Sequence, residues 1–127
     1  MSEFVVDASA LLGLLLDEEP ARKVENLLAS SVMSAVNFSE TVAKLTDIDI
    51  PEKKVREILE RLPMEIYPFD KNQAYISGLL RATTKTRGLS LGDRACLSLG
   101  IVLGHTVVTM DKAWRNLNIE VEIEVLN

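Results

Sequence analysis

The sequence predicts an α/β fold, a three-layer α/β/α arrangement around a mostly parallel sheet. Three observations predict it. Short apolar segments rich in β-branched residues alternate with helical patterns along the whole chain. Those segments lack the apolar–polar alternation of a half-exposed strand, as strands do when both faces are covered. A chain of 127 residues, 47% hydrophobic and 26% charged, suits a single domain over 1–127 with a sizeable core.

EFVVD (3–7) reads as a buried strand that ends in an acid. Ser9 to Leu16 is helical, with leucines at 11, 12, 14, 15 and 16. That is more leucine than one helix face holds, so another helix or a partner must cover some of it. Pro20 stands like a first-turn proline, and Val24, Leu27 and Leu28 follow at helical spacing. SVMSA (31–35) is the second strand, and Val36 to about Leu45 is helical. Pro51 opens a helix with Val55, Ile58, Leu59 and Leu62 on one face and Glu52, Lys53, Arg56, Glu57 and Glu60 outside. MEIYPF (64–69) is a strand ended by Pro68, and Asp70 caps a long helix that runs to about Thr86. Gly88 breaks the chain. Ser90-Leu91-Gly92-Asp93 is a capping box that starts the next helix. HTVVTM (105–110) is an apolar strand, a short helix follows near Trp114, and VEIEV (121–125) alternates like an edge strand.

Composition narrows the function. No apolar run reaches the ~20 residues needed to span a bilayer, and no basic stretch precedes an apolar one as in a signal peptide. Cys96 is the single cysteine. It forms no internal disulfide, fits a reducing cytoplasm and is expected on the buried face of its helix. A net charge of −5 rules out a uniformly basic coat, so any polyanion binds locally or through metal ions.

In open parallel sheets, ligands gather beyond the carboxyl ends of the strands. Asp7 and Asp111 each follow a strand there. Glu40 and Asp93 lie early in helices that begin on the same edge. Four neighbouring carboxylates repel one another unless a cation joins them. An all-oxygen set selects Mg²⁺ or Mn²⁺, one ion or two, and a lone histidine and cysteine make no usual zinc site. The chemistry implied is phosphodiester hydrolysis.

Each residue also has a plainer reading. Asp7 could be a buried acid satisfied by backbone N–H groups, a costly placement. Glu40 alone is an ordinary helix glutamate. Asp93 serves as a cap whether or not it also binds metal, and Asp111 could be the N-cap of Lys112-Ala113-Trp114. Ser9 and Thr109 either orient a carboxylate or a water, or cap turns. His105 has no partner nucleophile. Trp114 packs on the sheet or stacks on a base. Gly92 leaves room near the helix start for a substrate phosphate or a water. Lys85, Arg87, Arg94, Lys112 and Arg115 are candidates to bind a phosphate backbone, which the resemblance described below would make RNA, since no acid lies between Asp70 and Asp93. They could equally be a solvated face, and Arg94 could pair with a surface acid.

FVVDASALL, NFSETVAKL, LSLGDRACLSLG and VVTMDKAW, in that order, resemble the four motifs of PIN-domain ribonucleases. The resemblance is greatest to the VapC toxins of bacterial and archaeal toxin–antitoxin pairs. It covers essentially the whole chain, PFD at 68–70 included. It implies that Asp7, Glu40, Asp93 and Asp111 bind metal, with Ser9 and Thr109 as accessory hydroxyls. It further implies Mg²⁺- or Mn²⁺-dependent endonucleolytic cleavage of RNA that leaves 5′-phosphate and 3′-hydroxyl ends. The implied partners are a VapB-like antitoxin, laid as helical segments into a groove, and a second copy of the toxin. Three competitors remain: a catalytically silent PIN fold, a receiver-like module and a phosphoaspartyl phosphatase. The last lacks its second aspartate, since Ser9 stands in that place.

Overall fold

The computed structural model describes residues 2–127. Its strands are β1 (Phe4–Val6), β2 (Ser31–Ser34), β3 (Glu65–Tyr67), β4 (Thr106–Thr109) and β5 (Ile123–Val125). They form one sheet in the order β3-β2-β1-β4-β5, with every neighbouring pair parallel. The chain grows outward from β1 to β3, crosses back to β4 on the other side of β1, and ends at the edge strand β5. The reversal of direction lies between β1 and β4, where a parallel sheet opens a crevice at its carboxyl edge.

Successive strand residues point to opposite faces, so each strand feeds two cores. Val6, Met33 and Val108 pack with Ala10, Leu11, Val24 and Leu28 from α1 (Ala8–Leu15), α2 (Val24–Leu27) and the turn after it. Val5, Val32 and Val107 pack with Cys96, Leu97, Leu99 and Trp114 on the face covered by α7 (Leu91–Leu103). This double burial is why the strands read as continuous apolar runs. Cys96 and Trp114 are both core residues, so Trp114 packs rather than stacks on a ligand.

A third cluster accounts for most of the leucine surplus. Leu45, Val55 and Leu59 join α3 (Ala35–Asp47) to α4 (Glu52–Glu60), and Leu12 and Leu15 pack against them. Leu11 is buried outright, and Leu16 stays 50% exposed.

Two helices differ from expectation. The long helix from Asp70 divides into α5 (Lys71–Leu79) and α6 (Arg81–Thr84), followed by a 3-10 turn at Lys85–Arg87. The hydroxyls of Thr83 and Thr84 both turn back onto the Leu80 carbonyl, a contact that bends helices. Arg94 takes the Ser77 carbonyl from outside. Residues 19–30 are also discontinuous, with 3-10 turns at Glu19–Ala21 and Leu28–Ser30 on either side of α2. There the Ser31 hydroxyl donates to the Leu27 carbonyl at 2.6 Å.

The caps follow the sequence. Asp70 accepts from the Gln73 N–H at 2.9 Å, and Ser90 with Asp93 forms the reciprocal capping box. His105 pairs with Ser2 at 2.8 Å, at the amino edge of the sheet and away from the acids. Among the described residues no helix is long and apolar enough to cross a membrane.

α7 comes close to the sheet at Gly100. A Cβ there would lie 2.5 Å from Val107 Cγ2 and 3.1 Å from Val121 Cγ2. Gly100→Ala should therefore destabilise the fold by about 1–3 kcal/mol through overpacking. Urea denaturation measures this; a midpoint equal to wild type would contradict it.

Candidate functional site

Asp7 ends β1 and caps α1. The residue is 4% exposed. Oδ1 accepts from the Ala10 N–H at 2.9 Å and the Ser9 hydroxyl at 2.8 Å; Oδ2 accepts from the Thr109 hydroxyl at 2.5 Å. The two hydroxyls are themselves held. Ser9 Oγ accepts from the Met110 N–H at 3.0 Å, and Thr109 Oγ1 accepts from the Asp111 N–H at 3.0 Å. Ser9 and Thr109 thus orient a carboxylate and also brace the turn after β4. Burial raises the Asp7 carboxyl to about 6, against the lowering effect of these donors, and the charge of Asp93 adds to the rise.

Glu40 meets Gly92, the residue before Asp93, across the junction of α3 and α7. Glu40 is half-buried, and its Oε1 accepts from Asn37 Nδ2 at 2.8 Å. The same Nδ2 donates to the Gly92 carbonyl at 3.0 Å. The carboxylate of Glu40 lies over Gly92, where an added Cβ would be 2.6 Å from Glu40 Cδ. The space at Gly92 expected for a phosphate or water is therefore filled by Glu40. Asp93 Oδ2 accepts from the Ser90 N–H at 2.8 Å, so the acid is a cap at the same edge. Beneath them Cys96 is fully buried. Burial pushes its thiol well up, with Asp7, Asp93 and Glu40 adding to the rise, so one side chain feels all three acids.

Asp111 is exposed, and its Oδ1 accepts from the Ala113 N–H at 2.9 Å, capping the 3-10 turn Lys112–Trp114. It joins the site through its backbone bond to Thr109 rather than by burial. Asn37, which the sequence reading passed over, belongs to the site. Its one signal was a spacing of three residues from Glu40 on a helix.

The four acids stand without cationic partners. Among the described residues no lysine or arginine forms an ion pair with Asp7, Glu40, Asp93 or Asp111. Glu40 Oε2, Asp93 Oδ1 and Asp111 Oδ2 accept no hydrogen bond from the described residues. Nor is there a ready-made cage, since no three His, Cys, Asp or Glu side chains among the described residues stand close enough to enclose an ion. The donor set still fits a hard cation. Mg²⁺ keeps several waters and is usually bound directly by one or two carboxylates.

The basic candidates divide. Lys85, Lys112 and Arg115 are exposed. Arg87, also exposed, donates to the carbonyls of Ala113 at 3.2 Å, Arg115 at 2.7 Å and Asn116 at 3.4 Å. It clamps the segment after Asp111 onto the turn before α7. Among the described residues Arg94 makes no ion pair and its buried Nε has no partner; Nη1 donates to the Ser77 carbonyl at 3.1 Å.

Known proteins share this architecture. A search of curated proteins finds no match. Among solved structures, a chain of the DNA-bound VapBC of Salmonella typhimurium aligns with a TM-score of 0.77 at 19% identity, covering 98% of each chain. VapBC2 of Rickettsia felis, bound to a DNA fragment from its promoter, gives 0.73 at 18% identity over 98% of each. VapBC-5 of Mycobacterium tuberculosis, from a toxin–antitoxin family, gives 0.63 at 16% identity over 100% of this chain and 99% of the other. The family model of the PIN domain matches residues 4–120, a span that runs from β1 past the turn after β4 and contains all four acids. The chain belongs to the PIN domain family.

Proposed function

We propose that the protein is a metal-dependent endoribonuclease acting as the VapC-like toxin of a toxin–antitoxin pair, with a VapB-like antitoxin as partner. One observation carries the reading: a buried carboxylate, Asp7, is held by three uncharged donors and, among the described residues, by no cationic side chain. Such a group is costly unless a cation completes it. The names of the structural neighbours, VapBC complexes, support the partner.

Asp7, Asp93 and Glu40 would hold Mg²⁺ or Mn²⁺, one or two of them directly, and Asp111 would act from the rim. A bound divalent ion supplies an acidified water and neutralises charge developing on the phosphoryl oxygens. The protein's own groups do the rest. Thr109 and Ser9 fix the plane of the Asp7 carboxylate. The capping box keeps Asp93 in the first turn of α7. Lys85, Lys112 and Arg115 attract the RNA backbone to an otherwise acidic protein. Arg87 acts through the loop it clamps. The lack of a preformed ligand cage favours a second reading, a catalytically silent PIN module. Titration with Mn²⁺ separates the two, since the silent module binds none at millimolar concentration.

RNA digestion should require Mg²⁺ or Mn²⁺ and stop with EDTA, and Asp93→Asn or Asp7→Asn should reduce it to background. Wild-type cleavage by either variant would remove that acid from the reaction. Asp7→Asn should also raise the stability of the EDTA-treated protein. The folded carboxyl titrates near 6, above its ordinary 3.8. Folding is therefore penalised once pH passes 3.8, and the penalty is complete above about 6. The gain from Asn should be absent below about pH 4 and rise to at most about 3 kcal/mol at neutral pH. Melting curves across pH check this, and a loss of stability at neutral pH would contradict it. Replacing Lys112 and Arg115 together by Ala should weaken RNA binding and lower the slope of log K against log salt by about 0.7 for each phosphate no longer neutralised. Fluorescence anisotropy across a salt series measures that slope; an unchanged slope would place the RNA elsewhere.

A further inference from the structure

We infer that Asn37 is a positioning residue that sets the Glu40 carboxylate at the site, with Gly92 as the space that receives it. The inference rests on the reading of Glu40 as a metal-binding acid. Asn37 is 1% exposed and lies on α3 three residues before Glu40, on the same side of the helix. Its Nδ2 donates to Glu40 Oε1 at 2.8 Å and to the Gly92 carbonyl at 3.0 Å. Both partners are acceptors, so the orientation of the amide is determined by its contacts. One amino group therefore fastens the acid of α3 to the first turn of α7, the turn that carries Asp93.

Packing does not explain an amide at this position. Asn37 Oδ1 is buried without a partner, a cost that an apolar side chain of similar size would avoid. What an apolar residue would lose is the donor. Gly92 supplies the other half. Its missing side chain is the volume over which the Glu40 carboxylate lies, and Oε2, the oxygen that Asn37 does not hold, is the atom nearest the absent Cβ. Without the Asn37 donor, the long glutamate side chain regains its rotamers. With a methyl group at residue 92, the carboxylate has to leave.

The test compares Asn37→Leu, Gly92→Ala, Glu40→Gln and the double variant Asn37→Leu with Glu40→Gln. Mn²⁺ affinity is read by electron paramagnetic resonance, alongside melting temperature in EDTA and kcat and KM for RNA cleavage. Asn37→Leu and Gly92→Ala should each weaken Mn²⁺ binding by about 10–100-fold, the range for loss of a group that orients a ligand. Both should melt within a few degrees of wild type in EDTA, since only the free end of a side chain is displaced. Their loss should appear in kcat rather than KM. The double variant should bind Mn²⁺ no more weakly than Glu40→Gln alone, because both changes remove the same contribution. Wild-type Mn²⁺ affinity in Asn37→Leu and Gly92→Ala, with a weakened Glu40→Gln, would overturn the role of Asn37 and leave that of Glu40 standing. Wild-type affinity in Glu40→Gln itself would overturn the reading of Glu40, and the inference with it.

Discussion

The hydrogen bond from Thr109 to Asp7 joins the two central strands where the direction of sheet growth reverses. Each partner is fixed before they meet. Asp7 is pinned by the start of α1 through Ala10 N–H, and Thr109 by the Asp111 N–H. Ser9 closes the circuit by donating to Asp7 and accepting from Met110. The turn after β4 and the helix after β1 therefore cannot move independently near this carboxylate. The arrangement is unfavourable for folding, because burial raises Asp7 to about 6 while, among the described residues, its hydrogen-bond partners are dipoles and not cations. The two apolar layers on either side of the sheet carry that cost. A folded scaffold that holds a charge in place before any ligand arrives is what an ion-binding edge requires.

Small residues set how close the other acids come. α7 meets the sheet at Gly100 and meets α3 at Gly92. The first contact draws the helix down onto β4; the second lets Glu40 lie across its first turn. Between them Cys96 lies buried in the core, and its thiol stays protonated because burial and the charges of Asp7, Asp93 and Glu40 act in the same direction. A larger side chain at either glycine would separate helices that have to meet for Asp93 and Glu40 to share an edge. Helix packing and site assembly are one constraint here.

The layers, the element order and the positions of the acids were legible because they rest on local rules. Alternating strand and helix patterns give parallel topology, and acids at strand ends and helix starts give a common edge. Ser90, Asp70 and Asp111 announce caps through neighbours within three residues. What the sequence concealed depends on contacts distant along the chain. The break at Leu80 involves an arginine from the next long helix, whose guanidinium holds the Ser77 carbonyl. Gly92 looked like room for a ligand, yet that room belongs to a residue from another helix. Asn37 carried no chemical signature of its own, and its importance appears only when Gly92 lies opposite.

The arginines show most clearly how structure reassigns residues that composition groups together. Lys85, Arg87, Arg94, Lys112 and Arg115 read alike as a patch of positive charge. A guanidinium, however, presents several donors in a fixed plane and can satisfy backbone carbonyls that an ammonium group would leave to water. Arg87 does this for three carbonyls of the segment after Asp111, and Arg94 does it at the bend between α5 and α6. Their positive charge persists, but their geometry is committed to holding loops. On the proposed reading, the groups free to follow a flexible phosphate chain are Lys85, Lys112 and Arg115, on a chain of net charge −5. With so few, attraction of a polyanion to this edge depends on neutralising the acids first. On the proposed reading, metal and RNA binding reinforce each other: the cation that completes Asp7 also removes the field that would repel the substrate.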